Sequence, residues 1–268
     1  MMKRSLKKRL AKGGMMFYMS LVFLFLYAPI AVLVIYSFNE SRYRGTWGGF
    51  SLKWYESLFS NEAIMSALYY TILIAVLAAI ISTIIGTAAA LAISRLKKLP
   101  QTTVMNVTYL PVLNPDIVTG VALMLLFIFM SIPFGVTSLL LAHITFCVPY
   151  VVLSVMPKIR QLKPNLYEAA LDLGATPMYA FWKVVLPELM PGIITGAIFA
   201  FTLSLDDFVI SFFTTGNGVQ TLPLAVYAMA RKGVSPEVNA ISTIMFTVVL
   251  VLLIIVNWRS SRETKNNQ

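Results

Sequence analysis

The sequence predicts an all-α, polytopic membrane protein with six transmembrane helices. Of its 268 residues, 58% are hydrophobic and 12% are charged. Soluble domains carry about one quarter charged residues, so this chain has too few charges to cover a water-exposed surface. That shortage excludes a soluble globular enzyme. Long uncharged runs alternate with polar segments, and most of these runs have the roughly 20 residues that cross a bilayer as a helix.

Three of the six helices follow directly from the uncharged runs. The first is predicted over about 16–38; its run is too long for a secretory signal peptide and has no small-residue cleavage site. The second is predicted over about 64–94. The sixth covers about 236–258, where Ser235 and Pro236 form an N-cap signal with proline at the first helical position.

The third and fourth helices come from one long run. Asp116 is the only formally charged residue in the run 99–157. This run is too long for a single membrane-spanning helix. A turn signal at 131–135, which contains Ser, Pro and Gly, divides them. We therefore predict a third helix over about 104–130 and a fourth over about 137–156.

The positions of the basic residues predict the orientation. Of the 21 Lys and Arg residues, 16 lie in segments on one side of the predicted membrane and five on the other. Because basic loops stay in the cytoplasm, both termini and the polar 158–188 segment are predicted to be cytoplasmic. The fifth helix, over about 190–215, then leads to an outer loop in which 223–232 is expected to form a short surface helix.

Nucleic acid is not a predicted partner, despite the net charge of +10. The basic residues border apolar runs, whereas a nucleic-acid-binding protein spreads them over a folded face among polar and aromatic side chains. A single cysteine and a single histidine also provide no metal-binding cluster. We therefore expect the membrane itself to be the main surroundings of this chain.

The 158–188 segment is predicted to form two short helices that project from the membrane. Asn165 and Glu168 have the spacing of a capping box at the start of the first helix. Gly174 suits the left-handed residue that ends it. Apolar side chains in this helix, Leu173 among them, are available to a partner.

The second short helix has its own boundary signals. Thr176 followed by Pro177 is typical of a helix start, and Pro187 is expected to stop the helix. Local chemistry alone also fits an ordinary capped loop between two membrane helices, in which Glu168 is only a cap.

The same segment resembles the EAA loop of binding-protein-dependent ABC importer permeases. It matches the motif Glu-Ala-Ala, three residues, Gly, nine residues, then Val-x-Leu-Pro, through Glu168, Ala169, Ala170, Gly174, Val184, Leu186 and Pro187. The resemblance implies a MetI-like, type I ABC importer transmembrane domain over 1–268. It also implies that this loop docks into a cleft on a cytoplasmic ATPase.

A narrower resemblance covers most of the chain. The stretches 114–118, 143–147, 204–207 and 233–240 are similar to the PotC-type permease subunits of spermidine/putrescine ABC transporters. This implies import of polyamines across a bacterial inner membrane. It also implies two copies of an ABC ATPase, a second homologous permease in a heterodimer and an extracytoplasmic polyamine-binding protein.

ATP is assigned to the ATPase partner, since the chain contains no GxxxxGK[ST] phosphate loop. We therefore predict no cofactor and no enzymatic activity for the chain itself. The EAA match does not select the solute, because permeases for iron, thiamine and sulfate share the loop and helix layout.

Three acidic residues at membrane depth are candidates for the translocation path: Asp116, Asp206 and Asp207. A charge in the bilayer is costly, so it faces the bundle interior, a partner or a water-filled route. Asp206 and Asp207 cannot share a helix face, because adjacent residues point about 100° apart. Pro111 and Pro115 are expected to break the third helix next to Asp116, which also fits a simple N-capping role.

Asp207 belongs to a stripe of small and polar residues at helical spacing, which we predict to line the path. Its members are Gly196, Ala200, Ser204, Asp207, Ser211 and Thr214. The same stripe also fits close packing against another helix. His143 is expected to be an interhelical hydrogen-bonding residue rather than a ligand.

Two other classes of protein compete with the importer hypothesis. An ion-coupled secondary transporter or channel also uses membrane-embedded aspartates, but it gives no reason for the EAA pattern. An intramembrane metalloenzyme needs a second acid cluster near Asp206 and Asp207, and the sequence supplies none.

Overall fold

The computed structural model describes residues 2–43, 45–163, 165–216, 218–232 and 236–266. Within these ranges the regular structure is helical, apart from one isolated antiparallel bridge between Asn39 and Phe50. The helices, in chain order, are α1 (Met2–Ser37), α2 (Lys53–Phe59), α3 (Glu62–Ser94), α4 (Lys98–Leu113), α5 (Asp116–Phe129), α6 (Val136–Gln161), α7 (Leu166–Asp172), α8 (Pro177–Ala180), α9 (Leu186–Asp206), α10 (Val209–Thr214), α11 (Leu222–Lys232) and α12 (Pro236–Asn266).

The membrane spans confirm the predicted all-α membrane fold. In the described part of the chain, four helical stretches are long and apolar enough to cross a bilayer: Gly13–Ser37, Glu62–Ser94, Val136–Gln161 and Pro177–Asp206. The pair α4 and α5 passes the same test as one broken span. The sixth predicted helix corresponds to α12, which includes the apolar stretch Pro236–Val251 among the described residues.

The third predicted helix, at about 104–130, is two helices in the structure. The chain bends by 103° between α4 and α5, and Asn114 has extended dihedrals of φ −73° and ψ 143°. Pro115 causes this break, as predicted, because proline lacks an N–H and disfavours a helical conformation in the residue before it. Pro111 does not break the helix; it lies inside α4.

The fifth predicted helix, at about 190–215, is also broken. After α9 ends, Asp207 is extended, with φ −64° and ψ 123°, and α10 begins two residues later. The Asp207 carboxylate accepts hydrogen bonds from the backbone N–H groups of Ile210 (3.2 Å) and Ser211 (2.7 Å). It therefore satisfies two of the free donors in the first turn of α10.

Two predictions for the 158–188 segment are wrong. Pro187 does not stop the second short helix: α8 continues through a π-helical stretch, Phe181–Val185, into α9, where Pro187 sits in the first turn. Asn165 is left-handed, with φ 70°, and its side chain makes no capping hydrogen bond. The capping box with Glu168 is therefore absent, because a left-handed residue directs its side chain away from the helix start.

The other local signals in this segment are confirmed. Gly174 has φ +86°, the left-handed region that disfavours side chains. The Thr176 hydroxyl accepts a hydrogen bond from the backbone N–H of Tyr179 at 3.4 Å, and Pro177 occupies the first position of α8. The turn between α7 and α8 thus has the predicted chemistry.

The remaining boundaries differ modestly from the predictions. α1 begins at Met2 rather than about 16, and α12 continues to Asn266 rather than about 258. The predicted outer helix is α11, whereas α2 has no counterpart among the predictions. Ser235, predicted as an N-cap, lies outside the described residues, and α12 begins at Pro236.

The chain separates into two compact units, one of Met1–Glu62 with Ala228–Gln268 and one of Ala63–Tyr227. In the first unit α12 packs against α1 and α2, and the Ser57 hydroxyl donates to a Glu237 carboxylate oxygen at 2.9 Å. The second unit contains the 158–188 segment and the predicted path residues. A single transmembrane domain over the whole chain stays a prediction.

Helix α6 is the centre of the second unit. Its Val151 is completely buried and lies against Gly86 of α3 and Gly196 of α9. A Cβ atom on Gly86 would be 2.6 Å from the Val151 Cβ, and one on Gly196 would be 3.2 Å from the Val151 Cα. Glycine at these positions lets the helices approach closely, as small residues do in membrane proteins.

We predict that Gly86→Ala lowers the melting temperature of the detergent-purified chain, whereas Gly13→Ala does not. The new methyl group has no room beside Val151, and overpacking of this kind costs about 1–3 kcal/mol. Gly13 is a matched control, because nothing lies within 4 Å of a Cβ there. Equal melting temperatures for the two variants would contradict the close α3–α6 contact.

Candidate functional site

The α7–α8 region presents an exposed apolar surface. Leu173, at the end of α7, is 90% exposed, and Met178, Tyr179 and Trp182 in and after α8 are also largely exposed. Leu173 lies outside the stretches that could cross a bilayer, whereas the other three lie in the first turns of the stretch Pro177–Asp206. A large apolar side chain exposed on this polar segment indicates a protein partner.

A groove of about 530 Å³ runs along this surface. Its lining residues are Ala170, Leu173, Gly174, Ala175, Thr176, Tyr179 and Val184. The groove therefore follows the turn between α7 and α8. Its mostly small and apolar lining suits a partner that inserts an apolar edge, rather than a charged ligand.

The residues of the EAA pattern fall into two groups. Glu168, Ala169 and Ala170 lie on α7 next to the Gly174 turn, and the first two are exposed. Leu186 and Pro187 lie in the first turn of α9. The pattern thus describes both ends of one continuous unit, the short helix α7 and the base of the membrane helix that follows it.

A buried polar network joins α6 to the broken fifth helix. His143 is 1% exposed, and its Nδ1 lies 2.6 Å from the Ser204 hydroxyl, while its Nε2 lies 3.1 Å from the Ser211 hydroxyl. The Asp207 carboxylate lies 3.6 Å from the same Nε2. His143 is therefore an interhelical hydrogen-bonding residue, as predicted.

The predicted stripe faces α6 within this chain. Ser204 and Ser211 are 3% and 0% exposed, and both bond to His143. The Asp207 side chain is 8% exposed and holds the start of α10. Close packing, the alternative reading of the stripe, therefore describes its contacts in this chain, and a path-lining role for these three residues stays a prediction.

The other two acids are placed differently. Asp206 is exposed and is the last residue of α9. The extended residue that follows it, Asp207, has a side chain that is only 8% exposed. Asp116 is exposed at the first residue of α5. Asp206 and Asp207 differ in exposure, but the helix ends between them, so the predicted helical separation of about 100° does not describe the pair. Each of the two broken spans carries an exposed carboxylate at its break.

Sequence reasoning missed the partner of Asp207. His143 and Asp207 are 64 positions apart in the sequence. The one sequence feature that could have indicated their contact is the presence of a single histidine in one apolar run and a polar stripe in another. Within the described ranges, no group of three or more His, Cys, Asp or Glu side chains could hold a metal ion.

Broken membrane helices with polar or charged groups at the breaks are typical of transport proteins, so the fold and the site together define a membrane permease. Residues 82–259 match the family described as the binding-protein-dependent transport system inner membrane component. This match covers more than half of the chain. The chain therefore belongs to this family of permeases.

Similar proteins share sequence over nearly the whole chain. It is 39% identical over 259 residues to the spermidine/putrescine transport system permease protein PotC of Escherichia coli, covering 97% of each chain. It is 40% identical over 251 residues to the putrescine transport system permease protein PotI of the same species, covering 91% of this chain and 89% of that one. A Haemophilus influenzae PotC is 40% identical over 238 residues, with 89% and 93% covered.

Solved structures share the fold. A bacterial ABC transporter involved in the import of the acidic polysaccharide alginate gives a TM-score of 0.73 at 17% identity, covering 97% of this chain and 98% of that one. The alginate transporter in complex with an alginate-bound periplasmic protein gives 0.73 at 18% identity, with 98% of each chain covered. The predicted ABC importer permease fold is thus confirmed.

We predict that Ser204→Ala lowers the melting temperature of the chain, because it removes the hydroxyl 2.6 Å from His143 Nδ1. Leaving a buried polar group without a partner costs about 1–3 kcal/mol. Ser154→Ala is the control, since the Ser154 hydroxyl bonds to the carbonyl of Tyr150 within α6. If the two variants melt together, the network is not structural, and a solute-facing role for Ser204 becomes the better explanation.

Proposed function

We propose that this chain is a permease subunit of an ATP-driven importer of spermidine and putrescine in a bacterial inner membrane. The observation that carries this proposal is the 39–40% identity, over about nine tenths or more of the chain, to permeases named for these two polyamines. Membership of the binding-protein-dependent family and the fold of ABC importer permeases support the same mechanism of import.

In this proposal ATP is hydrolysed by a separate cytoplasmic ATPase, present in two copies. Its docking surface is the α7–α8 region, with Glu168, Ala169 and Ala170 on the contacting helix and Gly174 shaping the turn. Leu186 and Pro187 connect this region to α9. The exposed Leu173 and the groove beside it support an interface with a protein.

The complete pathway requires more than one permease. We propose a heterodimer with a second, homologous permease, loaded by an extracytoplasmic polyamine-binding protein. Both termini and the 158–188 segment are cytoplasmic in this arrangement, which the 16-to-5 distribution of basic residues supports. When the ATPases close, they move the α7–α8 regions, and the helices switch access from one side to the other.

Acidic residues give the path its preference for cations. Asp206 and Asp116 are proposed to contact the ammonium groups of the solute, because their carboxylates are exposed at breaks in membrane helices. We propose that the packed network beside Asp206 holds this residue in place; its members are Asp207, Ser204 and Ser211. A carboxylate at membrane depth attracts a cation strongly because little water screens it.

We predict that Gly174→Val abolishes polyamine uptake and co-purification of the ATPase, whereas Gly174→Asn retains much of both. The position has φ +86°, which a β-branched residue adopts at high cost and asparagine tolerates. The measurement is uptake of labelled spermidine by cells without their own system, supplied with the chain and its partners. Each variant is first shown to reach the membrane.

Three outcomes separate the candidate functions in that experiment. Uptake that persists without the ATPase would overturn the importer mechanism and favour an ion-coupled transporter. ATPase binding without polyamine uptake would overturn the substrate assignment and direct the assay to iron, thiamine and sulfate. Equal activity of the two Gly174 variants would contradict the role of the turn.

We predict that Asp206→Asn lowers spermidine uptake roughly tenfold while ATPase binding is retained. Loss of a charge-assisted hydrogen bond costs about 1.5–3 kcal/mol, and 1.4 kcal/mol is a factor of ten. Glu188→Gln is the matched control, because Glu188 is an exposed acid in the first turn of the same helix. Comparable losses in both variants would show that overall charge, rather than position, matters.

A further inference from the structure

One contact links the short helix α7 to a membrane-spanning helix. The guanidinium carbon of Arg95, in the turn directly after α3, lies 5.8 Å from the centre of the Tyr167 ring on α7. This distance is within the range of a cation–π interaction. Both residues belong to the same compact unit, Ala63–Tyr227.

Helix α7 is short and has no buried residue. It contains seven residues, none of them buried, and Asn165 provides no side-chain cap. Seven residues are too few for a helix that is stable by itself. It packs mainly against α8 and the π-helical stretch that follow it in sequence, and these neighbours belong to the same projecting region.

A gap separates α7 from the ends of the membrane helices. A cavity of about 210 Å³ lies here, and Leu91, Ser94, Ile159, Leu162, Leu166 and Tyr167 are among its lining residues. Direct packing therefore does not completely fill the space between α7 and α3. The long Arg95 side chain also lines the cavity and reaches the Tyr167 ring.

We propose that Arg95 is a positioning residue that couples α7 to α3 during transport. Tyr167 is the immediate neighbour of Glu168, so a partner that displaces the EAA residues also displaces the ring under Arg95. The planar guanidinium stacks on an aromatic face, which the compact ammonium of lysine does less well. The proposal rests on the proposed function, in which an ATPase moves α7.

The contact itself is tested by amide hydrogen exchange of residues 165–173 in the purified chain, without ATPase or solute. Arg95→Ala and Tyr167→Leu are expected to raise exchange in this segment about two- to fivefold, the effect of an exposed cation–π contact. Tyr167→Phe, which keeps the ring, and Lys97→Ala, which removes a neighbouring exposed charge, are expected to match wild type. Unchanged exchange in Arg95→Ala would overturn the proposal.

The coupling is tested in the assembled complex with the ATPase. We would measure maleimide labelling of a Leu96→Cys variant, in a Cys147→Ala background, with and without ATP. Leu96 adjoins Arg95 and is 41% exposed. We expect ATP to change the labelling rate, and Arg95→Ala or Tyr167→Leu to remove that change while the ATPase still co-purifies. Combining both substitutions should cause no further loss, because they remove one interaction.

The possible failures point to different conclusions. An ATP response that survives in Arg95→Ala would overturn the coupling role, even if hydrogen exchange had risen. Additive effects in the double variant would show that the two residues act separately. If the wild-type complex responds to ATP but takes up no polyamine, the substrate proposal fails while the coupling proposal stands.

Discussion

The close approach of α3 and α9 to α6 at Val151 is the contact on which the second unit depends. Gly86 and Gly196 leave room for the valine, so Val151 is the side chain between α6 and its two neighbours at these positions. Apolar burial does not drive helices together within lipid, and tight van der Waals packing has a larger part. Since α6 leads into the α7–α8 region and α9 leads out of it, this contact also fixes the base of the proposed docking surface.

Two breaks in the membrane helices create the polar sites, and each break exposes backbone groups that need partners. At Asp207 a carboxylate satisfies the first N–H groups of α10, and His143 ties the hydroxyls of Ser204 and Ser211 to α6. The buried network makes the break a fixed feature of the fold. In the proposed function, the exposed carboxylate of Asp206 lies next to this network, and a site on such a frame suits recognition of a solute better than one on a loop.

Predictions based on local stereochemistry were accurate at Pro115 and Gly174 but wrong for the capping box at Asn165 and the break at Pro111. Pro115 ends a helix because it lacks a donor and restricts the residue before it, and Gly174 adopts a left-handed conformation that a side chain would strain. Predictions that needed the surroundings were less accurate. Pro187 is a stop signal by sequence alone, but the helix continues past it, because the π-helical stretch Phe181–Val185 directly before it already departs from the regular α-helical hydrogen bonding.

By itself, the sequence determined the all-helical membrane fold, the break at Pro115 and the turn chemistry between α7 and α8. These features follow from hydropathy and backbone sterics, which act over a few residues. The tertiary structure decided that the polar stripe faces α6, that His143 lies beside Asp207 and that Arg95 reaches Tyr167. These contacts join residues more than 40 positions apart, and their geometry depends on how closely neighbouring helices pack.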